Sequence, residues 1–134
     1  MSQREVSLLR DRSLRMLSSA KRSLSSGDYD IAAFMADQAV QLYLKSLILE
    51  LTGEIPRTHV IRQLFAALKA VLNCAEDIDG FVRGNRGLLI RLEDAYTSAR
   101  YAPREYEKEE AEELVNFAEE AIRFVEALRG KVKA

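Results

Sequence analysis

The side chains whose chemistry could reach beyond packing gather in two places, around His59 and between Arg83 and Tyr106. His59 is the only imidazole, so proton transfer near neutral pH would fall to it. It has no obvious partner in the adjoining sequence, and it can equally bond a carboxylate or a backbone carbonyl at a helix start. Arg100 is the most suggestive cation. With Arg57, Arg83, Arg86, Arg91 and Arg104 it could line a basic groove that holds phosphate through bidentate guanidinium contacts. Tyr96 and Tyr101 flank it and could stack on a base. In the competing arrangement Arg100 bridges Glu93 or Asp94, and the tyrosines pack with their hydroxyls at the surface.

Several other chemistries fail on spacing. One thiol, Cys74, and one histidine do not make a zinc site, and Cys74 reads as a small apolar residue near a helix end. The basic loop Arg83-Gly84-Asn85-Arg86-Gly87 lacks both P-loop spacing and a preceding strand. The pairs Glu112-Glu113 and Glu119-Glu120 fall on the solvent face of a helix, and the Glu-x-x-His of a ferritin-like metal site is absent. No metal and no cofactor is expected.

The elements that must position these groups are helices. A first runs from about Arg4 to Ser25, with Val6, Leu9, Met16, Leu17, Ala20 and Leu24 on one stripe, Ser13 filling its gap and Gly27 suited to a left-handed cap. A second, capped by Asp28 or Asp30, reaches Thr52 and is apolar almost all round, which predicts a central position. Asp30, Asp37, Gln41 and Lys45 trace a narrow polar stripe on it, and Gln38 lies on the buried side. Thr58 is the expected cap of a third helix to about Leu72. An acidic, glycine-bearing connection from Asn73 to Gly87 holds a short turn around Ile78 to Val82. A fourth helix spans Leu88 to Ala99, Pro103 prevents its continuation, and a last runs from Arg104 to about Lys131. Short loops between long helices imply antiparallel neighbours. The expected architecture is all-α, an up-and-down bundle of about five helices forming one domain over residues 1–134.

Composition agrees. Of 134 residues, 48% are hydrophobic and 31% charged, enough for a core without disulfides or metal. The N-terminus has no apolar targeting segment, and no run nears the ~18 apolar residues of a membrane span, so a cytoplasmic protein is expected. A net charge of −1 does not by itself call for a polyanion. Basic residues dominate the first 26 positions and acidic ones the last 31, a pattern of solvated helix faces or of one basic face.

Two stretches resemble the HEPN family (higher eukaryotes and prokaryotes nucleotide-binding domain). Asp28 to Ala39, with its Ala-x-x-Gln-Ala run, continues through Leu44-Lys45-Ser46-Leu47 to Gly53 as that family's core helix does. Pro56-Arg57-Thr58-His59 is similar to its Pro-x-x-His start of the third helix. Leu92 to Pro103 resembles the Tyr-x-x-x-Arg-Tyr segment before the last helix, so the likeness covers residues 4 to 130. The resemblance implies a helical bundle that often pairs as a homodimer and is often encoded beside a small nucleotidyltransferase in a toxin–antitoxin-like pair. It also implies one of two roles, a metal-independent ribonuclease or a binding module without catalysis. The ribonuclease branch carries Arg-x(4–6)-His, the imidazole working as general acid or base and the guanidinium steadying phosphorane charge. Arg100 matches the arginine, but five to seven residues on stand Glu105, Tyr106 and Glu107. A non-catalytic module binding nucleotide or RNA is therefore the first expectation, with Arg57, Arg86, Tyr96, Arg100 and Tyr101 as contacts. The alternatives are a ribonuclease toxin in which Arg100 works with Tyr106 or His59, and a purely structural oligomer.

Overall fold

The computed structural model describes residues 3–101 and 104–133, without the side chains of Arg100 and Lys133. The expected stop at Pro103 lies outside the described residues. Among the described residues there are six helices: α1 (Gln3–Ser25), α2 (Tyr29–Thr52), α3 (Ile61–Val71), α4 (Ala75–Gly84), α5 (Arg86–Tyr101) and α6 (Lys108–Lys133). The bundle is as expected, but the count is six rather than five. What read as a short turn after Asn73 is a ten-residue helix. Its apolar face, Ile78, Phe81 and Val82, packs on the core, and Phe81 lies 4.2 Å from Phe124 and 5.6 Å from Phe65, ring centre to ring centre.

α2 occupies the centre because it has no polar side broad enough to face water. It touches α1, α3, α5 and α6. Ala32, Ala33, Ala36 and Ala39 are fully buried and let α1 approach closely, so that Ser13 donates a 2.6 Å hydrogen bond to the carbonyl of Ala39. Gly27 and Gly53 end α1 and α2 in the left-handed conformation, where a side chain would be strained. The last helix buries Leu114, Phe117, Ala118, Ala121, Val125 and Leu128 as its periodicity required, with Phe124 half-buried against the same core. It begins at Lys108 rather than Arg104, leaving residues 104–107 as a non-helical approach. α3 likewise starts at Ile61. Thr58 sits outside it and accepts a hydrogen bond from the Val60 amide.

Two polar features lie inside the bundle. Glu50, 13% exposed, takes Arg10 of α1 and Arg129 of α6 at 3.2 Å each, tying three helices together. The second corrects the sequence reading. Asp37 and Gln41 do not face solvent but lie buried, whereas Gln38 is only half-buried. One carboxylate oxygen of Asp37 accepts from Gln41 Nε2 at 2.5 Å and from Gln38 Nε2 at 3.4 Å. The other has no partner among the described residues. Burial pushes the Asp37 carboxyl up to about 8, the Gln41 and Gln38 bonds oppose this, the Glu93 charge adds to it and Lys45 opposes it. A single polar stripe on an apolar helix normally meets water. Here its middle, Asp37 and Gln41, is buried, and α2 carries a neutral acid inside the protein.

Among the described residues no helix is long and apolar enough to cross a membrane.

Candidate functional site

The chemistry-bearing side chains converge where α5 runs along α2 and past the start of α3. Val60, the residue just before α3, offers no side chain to cap its amides. Glu93 of α5 does this instead. It accepts from the Arg62 amide at 3.0 Å and takes the Arg62 guanidinium through Nε at 3.0 Å and Nη2 at 2.8 Å. This pairing pins the 53–60 loop, which carries Arg57 and His59, onto α5. Tyr96 lies one turn beyond Glu93 on the same face, and its ring stacks on His59 with centroids 5.1 Å apart and planes 23° from parallel. On its other flank stands Phe34 of α2, 6.2 Å away and 12° from parallel. Three aromatic rings from three elements thus form a short ladder, Phe34–Tyr96–His59, with His59 at its exposed end.

A cleft of about 450 Å³ adjoins the ladder. Ile31 and Phe34 of α2 and Ala95 and Ala99 of α5 give it an apolar floor, and Asp30, Ser98, Arg104 and Tyr106 give it polar walls. Arg104 lies over the Tyr106 ring, 4.2 Å from its centre, and pairs with Glu110 of α6. Tyr106 is itself buried. Its hydroxyl is sealed from solvent and has no hydrogen-bond partner among the described residues, Ser98 lying close enough to act on it but not in bonding geometry. Desolvation raises the Tyr106 pKa above its ordinary value, the Arg104 charge opposing, so the phenol stays protonated near neutral pH.

The arginines do not assemble into one basic groove. Arg83 and Arg86 share a separate depression with Asp79. Arg86 opens α5 and Ser98 lies in its last turns, so about 18 Å of helix separates Arg86 from the cleft. Arg91 pairs with Glu113 at 2.7 Å. Arg57 is exposed in the loop before His59. Tyr101 ends α5 with 70% of its surface exposed. The Arg100 side chain lies outside the described residues. Its expected partner Glu93 is held by Arg62, while Asp94 lies exposed beside it on α5. Of the sequence-derived candidates, the structure gathers His59, Tyr96 and Tyr106 around one seam and sets Arg86 apart. Sequence reasoning missed Phe34, Asp30, Ile31 and Ser98, which read as core, cap and filler. The one signal in the sequence was Ile31, a large apolar residue directly after a capping pair, and it is left 44% exposed. No group of three metal-binding side chains occurs among the described residues.

Neutralising Glu93 tests the pinning of the loop. Glu93→Gln replaces charge-assisted bonds with weaker ones in a largely shielded pair, so a loss of about 1–2 kcal/mol is expected in urea unfolding. The His59 ring resonances should shift with it as the stack on Tyr96 loosens. An unchanged His59 signal would show that the loop is held by other contacts.

A helical bundle of this order, with a polar-walled seam before its last helix, matches the HEPN domain family over residues 6–128, and the chain belongs to that family. The fold is similar to that of TT1696 from Thermus thermophilus, with 28% identity and a TM-score of 0.74 over 92% of this chain and 97% of that one. It is also similar to ST0689, an archaeal HEPN homologue, at 24% identity and a TM-score of 0.63 over 98% of this chain and 99% of that one. Among curated proteins none matches the chain.

Proposed function

We propose that this HEPN domain is a non-catalytic module, homodimeric, that binds nucleotide or RNA along the α2–α5 seam and partners a small nucleotidyltransferase in a toxin–antitoxin-like pair. The observation that carries the reading is the Phe34–Tyr96–His59 ladder beside an apolar cleft, since stacked rings ending at an exposed one offer a face to a base. The lack of catalysis is argued from the sequence after Arg100, where Glu105, Tyr106 and Glu107 stand in place of an imidazole. His59 is stacked on Tyr96 at the far side of the seam's loop, and a glutamate near a scissile phosphate would repel it. Pairing with a second copy or with a nucleotidyltransferase draws support from family membership and from the exposed apolar side chains Ile55 and Tyr101.

Titration with a short single-stranded RNA by calorimetry, at two salt concentrations, tests the central part. Binding should weaken with salt, and Tyr96→Ala should lower affinity severalfold, since it removes the ring that holds Phe34 and His59 in the ladder. The RNA should be recovered intact. Cleaved RNA would replace this reading with the ribonuclease one, and binding indifferent to Tyr96→Ala would move the site elsewhere. Sedimentation of the protein alone and copurification with a coexpressed nucleotidyltransferase test the two partnerships.

A further inference from the structure

The walls of the cleft carry a charge pattern that narrows what can enter it. Asp30 is exposed on its wall, and Arg104, the one described cation lining it, is already paired with Glu110. Among the described residues this leaves a carboxylate with no uncommitted cation beside it, a wall that does not favour phosphate. The interior is different: an apolar floor of Ile31, Phe34, Ala95 and Ala99 suits a flat ring, and the Asp30 carboxylate and Ser98 hydroxyl line its walls. Asp30 can accept two hydroxyl protons. Ser98 can donate or accept. The Tyr106 hydroxyl is sealed from solvent and so out of reach of a ligand in the cleft. The volume, about 450 Å³, falls among those of small-molecule sites.

From these features we infer that the cleft takes an uncharged nucleoside end with a free 2′,3′-diol. The base lies against Phe34 and Ile31, the diol is accepted by Asp30, and the Ser98 hydroxyl bonds the ribose or base edge. A carboxylate accepting a ribose diol is the usual solution where phosphate is not wanted. Two sources offer this chemistry, a free nucleoside and the 3′-terminal residue of an RNA. In the second, the chain would leave the cleft past the Tyr96–His59 end of the ladder. The inference rests on the nucleotide- or RNA-binding reading above and adds which end of the ligand is held.

The test compares one RNA sequence ending in 3′-hydroxyl with the same RNA ending in 3′-phosphate, and adds adenosine, all by calorimetry on the full chain. The 3′-hydroxyl RNA should bind at least about tenfold more tightly than the 3′-phosphate RNA, and Asp30→Asn should narrow that ratio. Adenosine binding without RNA binding would retain the cleft and assign it to a free nucleoside. Equal affinity for the two RNA ends would overturn the cleft assignment and leave RNA binding standing. If neither RNA nor adenosine binds, both fall.

Discussion

Between pH 4 and pH 8 the protein should lose stability steadily, by about 1.4 kcal/mol for each pH unit, because of one buried carboxyl. Asp37 is fully buried and its carboxyl titrates near 8 in the folded chain against 3.8 when exposed. In that interval the unfolded chain has released the proton and the folded one still holds it. The folded state therefore binds more protons, and stability falls as pH rises. The contribution is fully present below the unfolded value and is gone once pH has passed the folded one. Over the whole window the loss is on the order of 5 kcal/mol, comparable with the net stability of a small protein. Asp37→Asn keeps an acceptor for Gln41 Nε2 and removes the titration. Its unfolding free energy should be nearly flat over the same range, and at pH 8 it should exceed that of the wild type by several kcal/mol. Urea denaturation of both proteins at pH 4, 6 and 8 decides it, and parallel curves would mean that Asp37 is ionised in the fold.

The opposite limb belongs to Glu50. Burial alone would raise its carboxyl, but hydrogen bonds from Arg129 and Gln3 and the charges of Arg10 and Arg129 outweigh this and bring it down to about 2. Its contribution is present above the unfolded value of 4.5 and is lost as pH falls toward 2. Glu50→Ala leaves two shielded guanidinium groups facing each other with no anion between them, and should cost about 3–5 kcal/mol at pH 7. Glu50→Gln, which keeps the shape, should recover part of that loss. Together the two carboxyls place their joint optimum near pH 4–5. If Glu50→Ala were as stable as wild type at neutral pH, the Glu50 bridge would contribute nothing to holding α1 and α6 to α2.

The long helices were legible because their periodicity answers to burial on one stripe. Ser13 in the gap of the first stripe and Gly27 at its end found the roles their positions suggested. α4 was hidden by Gly80, Gly84 and three acidic residues, which read as loop. Its signal was the spacing of Ile78, Phe81 and Val82, and these pack on the core strongly enough to override the weak propensity of the rest. The burial of Asp37 and Gln41 was not legible, since a sequence shows that a stripe is polar but not that neighbouring helices will cover its middle. The seam was only partly legible. His59 and Tyr96 stand far apart in sequence and meet because Glu93 captures Arg62, a pairing of charges that many other acidic residues could equally have made. The cleft residues look like ordinary core and cap until α5 and the approach to α6 close around them.

Whether the α2–α5 seam is the binding surface can be read from amide chemical shifts during titration with a short single-stranded RNA, because they report on every helix at once. Binding at the seam shifts Phe34, His59, Tyr96, Ser98 and Tyr106, with the effect fading along α1 and the outer face of α6. Shifts confined to the outer arginines of α1 or to the Arg83–Arg86 depression, with the seam silent, would contradict it.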